Sequence, residues 1–193
     1  MDAPVAPIVG LVLAAGAGTR FGGPKGLARD TAGAPWVARA VDTLRRGGCE
    51  RVVVAVGARA DDVAALVPPG VEVVRIAAWA DGLSATLRTG LVAAASPATR
   101  VAAVVILPVD VPDAPSSAVR RVIAAAEGDA SAALVQATYQ GDPGHPVLIG
   151  AAHVPAVAES VTGDDGARLY LRSHGAIRVE CGDLWSGADI DSR

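Results

Sequence analysis

The chain has 193 residues, which suits one domain with a sizeable core and is short for two. Half of it is hydrophobic, mostly Ala and Val, and only 3% is aromatic, so the packing rests on small aliphatic side chains that let helices lie close on a sheet. A formal net charge of −3 without a dense Lys/Arg run argues against a nucleic-acid surface, and Gly, Pro or charge interrupts every long apolar stretch, which argues against a membrane span.

The opening "MDAPVAPIVG" lacks a basic flank before its apolar run, so no signal peptide is expected and a cytoplasmic protein is the default. Ile8 to Ala14, "IVGLVLA", is a continuous aliphatic run, as in a strand buried on both faces. A glycine-rich stretch follows. Then "PWVARAVDTLRRGG" predicts a helix with Pro35 in its first turn, Arg45 and Arg46 in its last, and Gly47 and Gly48 as its stop. Arg51 to Gly57 is a second buried strand. "ADDVAALV" is a short helix with Asp61 and Asp62 at its positive end. Val71 to Ile76 is a third strand. A loop with Trp79, Asp81 and Gly82 leads into the helix "LSATLRTGLVAAA". Ala102 to Asp110 is a fourth strand that ends on an acid, and "SSAVRRVIAAAEG" is a helix opened by a serine cap. "ASAALVQATY" and "HPVLIG" are later strands, followed by helical stretches near 151–160 and 166–173 and a strand near 176–181. Cys49 and Cys181 are too few and too far apart for a metal cluster, and read as reduced, mostly buried thiols.

This alternation predicts one α/β domain over residues 1–193 with a largely parallel sheet and helices on both faces. Ligands in such sheets bind beyond the carboxyl ends of the strands. That rule selects the glycine loop, the Trp79–Gly82 loop and Asp110. The glycine loop, "LAAGAGTRFGGPKGL", fails two familiar templates. As a dinucleotide fingerprint it has Phe21 where a third glycine belongs, and Gly57, Ala58 and Arg59 stand where the ribose-binding acid is usual. An arginine there could meet a 2′-phosphate, which keeps an NADP-dependent oxidoreductase as an alternative. As a P-loop it has Pro24 where lysine belongs, and Lys25 comes one place late. What remains is a loop whose glycines let backbone N–H groups approach an anion, with Arg20 and Lys25 as cations inside it. A flexible turn with solvated cations fits the composition equally well.

The same stretch closely resembles the signature of nucleotidyltransferases with a MobA-like NTP-transferase fold, nearest to the molybdenum-cofactor cytidylyl- and guanylyltransferases. Four further stretches resemble that family in order: "AAWADGLSATLRTGL", "LPVDVPDAP", "YQGDPGHPVLIG" with "VTGDDGARLYLR", and "GADIDSR". The resemblance implies a Rossmann-like three-layer α/β/α sandwich with a mostly parallel mixed sheet, of the nucleotide-diphospho-sugar transferase type. It implies that Leu13, Ala14, Ala15, Gly16, Gly18, Thr19, Arg20 and Lys25 wrap a nucleoside triphosphate, and that Trp79, Gly82 and Ser84 shape the nucleotide pocket. Asp110 and Asp191 would hold Mg²⁺, with Arg20, Lys25 and Asp110 carrying the catalysis. His145 and Arg168 would face the acceptor.

The reaction implied is transfer of a nucleotidyl group to a phosphorylated acceptor with release of pyrophosphate. Ala15 favours CTP as the donor, and molybdopterin is the expected acceptor, with a molybdoenzyme or chaperone as a partner. A non-catalytic nucleotide-binding regulator is the alternative outside enzymology.

Overall fold

The structure, a computed structural model, describes residues 6–96, 100–126 and 128–192. The first residues, which bear on a signal peptide, lie outside these. Seven strands form one sheet: β1 (Ile8–Ala14), β2 (Arg51–Val56), β3 (Glu72–Arg75), β4 (Ala103–Pro108), β5 (Leu134–Tyr139), β6 (Asp142–Gly150) and β7 (Ile177–Glu180). Their order is β3-β2-β1-β4-β6-β5-β7. β1 pairs in parallel with β2 and β4, and β7 pairs in parallel with β5. Only β6 runs antiparallel, against β4 and β5. The sheet is therefore mixed and mostly parallel, as the alternation of elements requires.

Six helices cover it: α1 (Trp36–Arg46), α2 (Ala60–Ala64), α3 (Leu83–Ala94), α4 (Ser116–Ala124), α5 (Val154–Ser160) and α6 (Arg168–Ser173). The aliphatic strand runs divide by their period of two. Val12 and Ala14 of β1, Val52 and Val54 of β2, and Val105 and Leu107 of β4 face Leu44 of α1 and Val119 and Val122 of α4. Val9 and Leu11, Val53 and Ala55, and Val104 and Ile106 face the other way, onto Leu87 and Leu91 of α3, Val157 of α5 and Leu171 of α6. The result is a three-layer α/β/α sandwich in which β1 is buried on both sides. No helix among the described residues is long and apolar enough to cross a membrane.

From β1 the chain crosses to β2 and then β3 on one side, and returns to β4 on the other. The carboxyl ends of β1 and β4 thus flank a topological switch point, where a crevice opens. The loops after these two strands carry the glycine stretch and Asp110.

Local departures from the sequence expectation have plain causes. Pro35 sits just before α1 in an extended conformation, because its fixed φ suits the boundary. Pro115 takes the position before α4 in the same way, so Ser116 is the first helical residue and no side chain caps that helix. Both cysteines are buried and free, and burial pushes the Cys49 thiol up to about 12, which leaves it inert.

β5 and β6 are joined by a tight turn with Gln140 at φ 55° and Gly141 at φ 89°. This is the primed geometry that matches strand twist, with a non-glycine residue in its first place. The Glu180 carboxylate at the end of β7 accepts hydrogen bonds from the backbone N–H groups of Gln140, Gly141 and Gly182 and from the Thr138 hydroxyl. These bonds, that from Gln140 foremost, hold its carboxyl below the usual glutamate range. A depressed carboxylate contributes stability above its unfolded value, about 4.3, and loses that contribution as pH falls through the folded value. Glu180→Gln should therefore lower the urea midpoint at pH 7, and the gap to the parent should close as the pH is taken well below 4.3.

Candidate active site

The glycine loop is folded on itself. The Gly18 carbonyl accepts hydrogen bonds from the Phe21 and Gly23 N–H groups, both at 3.0 Å. Gly18 has φ 58°, and a Cβ there would run into the Gly23 carbonyl oxygen, so only glycine closes this loop. Phe21, the residue that spoiled the dinucleotide template, is buried in the core beside Trp36, with ring centroids 5.3 Å apart. It anchors the loop tip and leaves Thr19 and Arg20 exposed at the crevice.

Lys25 begins a single 3₁₀ turn and reaches back across the crevice. Its ammonium lies 3.1 Å from Asp110 Oδ2 and 2.7 Å from Asp191 Oδ1. Burial pulls the Lys25 ammonium down, but the hydrogen bonds to Asp191 and Asp110 outweigh it and raise its value above the usual lysine range. The Asp191 carboxyl is correspondingly depressed, chiefly by its bond to Lys25, with Arg20 adding to the effect.

Asp191 is brought to Asp110 by the C-terminal tail. Ile190 packs against the core and donates its N–H to the Asp110 carbonyl at 2.9 Å. Asp189 and Asp191 flank Ile190. Asp110, Asp189 and Asp191 each offer an oxygen, and these atoms lie within 4.8 Å of one another. Three hard carboxylate oxygens at that spacing suit a divalent cation such as Mg²⁺ or Mn²⁺, so the residues present fit a metal. Asp189 was not among the expected ligands, although the Asp-Ile-Asp spacing could have shown it.

Two cavities meet at this cluster. The first, about 520 Å³, is lined by Leu13, Ala15, Gly16, Gly18, Thr19, Arg20 and Lys25 from the first strand and loop. Trp79 and Gly82 close it from the other side, with Asp110 and Asp191 at its floor. Ala14 and Ser84 lie outside it: Ala14 faces the opposite core, and Ser84 is buried with its N–H bonded to the Gly163 carbonyl. Thr86, one turn along α3, lines the cavity instead. The start of α3 is not an open anion site, because the Asp164 carboxylate accepts from the Leu83 N–H at 3.4 Å.

The second cavity, about 490 Å³, holds His145, Gln136, Arg168 and Asp189, and shares Leu13, Leu83, Pro108, Asp110 and Asp164 with the first. Burial pushes the His145 imidazole down to about 4 against the pull of Asp110 and Asp189, so it is neutral near pH 7. Arg59, the residue on which an NADP site would rest, lines neither cavity and pairs with Asp62 at 2.8 Å.

One packing contact ties the sheet to the pocket wall. A Cβ on Gly57 would lie 2.5 Å from Trp79 Cβ and 2.6 Å from the Ala15 carbonyl oxygen. Gly57→Ala should push Trp79 and Ala15 apart and cost about 1–3 kcal/mol of stability as overpacking does, which thermal melts check.

A glycine-rich loop opposite strand-end carboxylates at the switch point of a mixed sheet defines an α/β protein of the nucleotide-diphospho-sugar transferase fold. The chain belongs to the MobA-like NTP transferase family, whose domain profile matches residues 10–178. It is 32% identical to the nicotine blue oxidoreductase of Paenarthrobacter nicotinovorans, over 99% of this chain and 95% of that protein. It is similar in structure to Rv0371c of Mycobacterium tuberculosis H37Rv, with TM-score 0.82 and 25% identity over 100% of this chain and 95% of that one. A manganese complex of Rv0371c superposes with TM-score 0.72 and 23% identity over 91% and 88% of the two chains. The 4-diphosphocytidyl-2C-methyl-D-erythritol synthase of Anaerococcus prevotii shares the fold, with TM-score 0.71 and 14% identity over 97% and 92%.

Proposed function

We propose that this protein transfers CMP from CTP to the phosphate of a small acceptor, molybdopterin being the first to test, and releases pyrophosphate. The observation that carries this reading is the junction of two cavities at Asp110, one walled by the glycine loop and its cations, the other by His145 and Arg168. A nucleotide in the first and an acceptor in the second would meet beside the three carboxylates.

An acceptor phosphate is largely ionised near neutral pH and needs no strong base. Its oxygen attacks the α-phosphorus, a new P–O bond forms, and the bond to the β-phosphate oxygen breaks with pyrophosphate leaving. The neutral His145 suits a positioning role beside the acceptor. The loop N–H groups and Arg20 hold the triphosphate, and Lys25 moves from the acids to phosphate oxygens as charge builds there. Asp110, Asp189 and Asp191 would hold Mg²⁺, which supplies charge neutralisation at the α-phosphate and the leaving group. The manganese complex of Rv0371c supports a divalent ion in this fold. Ala15 in the cavity wall and the cytidyl product named for the Anaerococcus enzyme support CTP.

The oxidoreductase named for the Paenarthrobacter relative supports a second reading, oxidoreduction, in which Arg59 would be the residue to meet an NADP 2′-phosphate. The placement of Arg59 away from both cavities weighs against it. One experiment separates the two readings. The protein is assayed for pyrophosphate release with each of four NTPs and Mg²⁺, against molybdopterin and a panel of sugar phosphates, and in parallel for NADPH oxidation with nicotine blue. Metal-dependent pyrophosphate release, greatest with CTP, is expected. NADPH oxidation without pyrophosphate release would overturn the proposal.

A further inference from the structure

The acceptor-side cavity continues outward into a groove of about 530 Å³ that shares Gln136, Pro143, Arg168 and Leu171 with it. The groove adds Arg172 and Arg178. Arg168 and Arg172 are four residues apart on α6 and so share a face. Arg178 comes from β7, in register with Gln136 of β5. Three guanidinium groups from two elements therefore gather along one cavity, with Asp142 as the carboxylate in its lining.

Arg39, Arg51, Arg59, Arg75 and Arg121 each pair with a carboxylate. Among the described residues, none of Arg168, Arg172 and Arg178 does. The three are solvent-exposed and outnumber Asp142, the carboxylate in the lining, so the groove presents net positive charge to an anion. Guanidinium forks match phosphate and carboxylate oxygens.

We propose that this groove is an anion subsite for a second negatively charged group of the acceptor, a phosphate or a carboxylate, held by Arg172 and Arg178 away from the phosphate that reacts. Arg168, common to both cavities, stands between the two ends. The proposal rests on the nucleotidyl-transfer reading for its meaning in turnover, and its test does not need turnover.

Binding to the full chain is measured by calorimetry with three probes: glycerol 3-phosphate, 3-phosphoglycerate and fructose 1,6-bisphosphate. The parent is expected to hold at least one of the two probes with two anionic groups about tenfold more tightly than glycerol 3-phosphate, as charge-assisted hydrogen bonds warrant. Preference for the bisphosphate alone marks a phosphate subsite, and preference for both marks one that also takes carboxylate. The Arg172→Ala/Arg178→Ala variant is expected to lose the preference while keeping its affinity for glycerol 3-phosphate and its melting temperature. Equal affinity of the parent for all three probes, or a preference that survives in the variant, overturns the subsite. CTP with Mg²⁺ is titrated into the same samples: absence of CTP binding sinks the transfer reading, whereas an anion preference abolished by the variant still supports the subsite.

Discussion

Asp110→Asn is expected to lower metal-dependent pyrophosphate release by a factor on the order of 10³ while leaving the fold intact, the scale seen when charge stabilisation at a reacting centre is removed. Asp110 stands two residues beyond β4 and lines both cavities, and of the three clustered carboxylates it is the one common to the two. Asparagine keeps the shape and one oxygen but removes the charge. Asp189 and Asp191 remain, and Lys25 keeps its 2.7 Å bond to Asp191. The tail should stay in place, because the Ile190 N–H bonds the Asp110 backbone carbonyl rather than its side chain. Circular dichroism melts, Mn²⁺ titration and initial rates measured together give the result. An unchanged melt with weakened Mn²⁺ binding and lost turnover supports the assignment, and turnover within tenfold of the parent defeats it.

Lys25→Ala should be as damaging to turnover and opposite in its effect on metal. The ammonium bridges Asp110 and Asp191, so a cation that takes these carboxylates has to displace it. Without the ammonium, Mn²⁺ is expected to bind more tightly to the nucleotide-free protein, whereas pyrophosphate release falls on the order of 10²–10³ because the triphosphate loses a point charge. The raised Lys25 value means its contribution to stability is complete below the unfolded lysine value, about 10.4, and is lost only as pH climbs through the folded one. The variant should therefore melt lower than the parent at neutral pH in metal-free buffer, and Mn²⁺ should restore part of the loss. Weaker Mn²⁺ binding in the variant would show that Lys25 supports the metal rather than competing with it.

Much of the fold was legible because β1, β2 and β4 are near-continuous aliphatic runs and α1 keeps its charges off its buried face. The glycine loop was legible through its failures, since Phe21 and Pro24 rule out both common templates. Less legible were the contacts made between distant segments. Nothing local in "GADIDSR" says that Ile190 will dock on the Asp110 backbone, although once it does the Asp-Ile-Asp spacing sets Asp189 beside Asp191. The resemblance put Gly82 and Ser84 in the nucleotide pocket, yet the N–H groups of Leu83 and Ser84 are taken by Asp164 and Gly163, some eighty residues on. The serine before "SAVRR" looked like a cap and is not, because Pro115 already holds the extended conformation required there. Arg168 was placed on the acceptor side by resemblance, but nothing in the sequence sets Arg172 and Arg178 beside it until α6 and β7 bring the three to one groove.

The seam at Asp110 also bears on handedness. On the proposed reading, with the nucleotide in one cavity and the acceptor in the other, the incoming oxygen and the departing pyrophosphate would occupy opposite faces of the same phosphorus. A single displacement of that kind turns the phosphorus inside out. CTP bearing sulfur in place of one non-bridging α-oxygen, supplied as one diastereomer, should yield a product of inverted configuration, and no nucleotide should become attached to the protein itself.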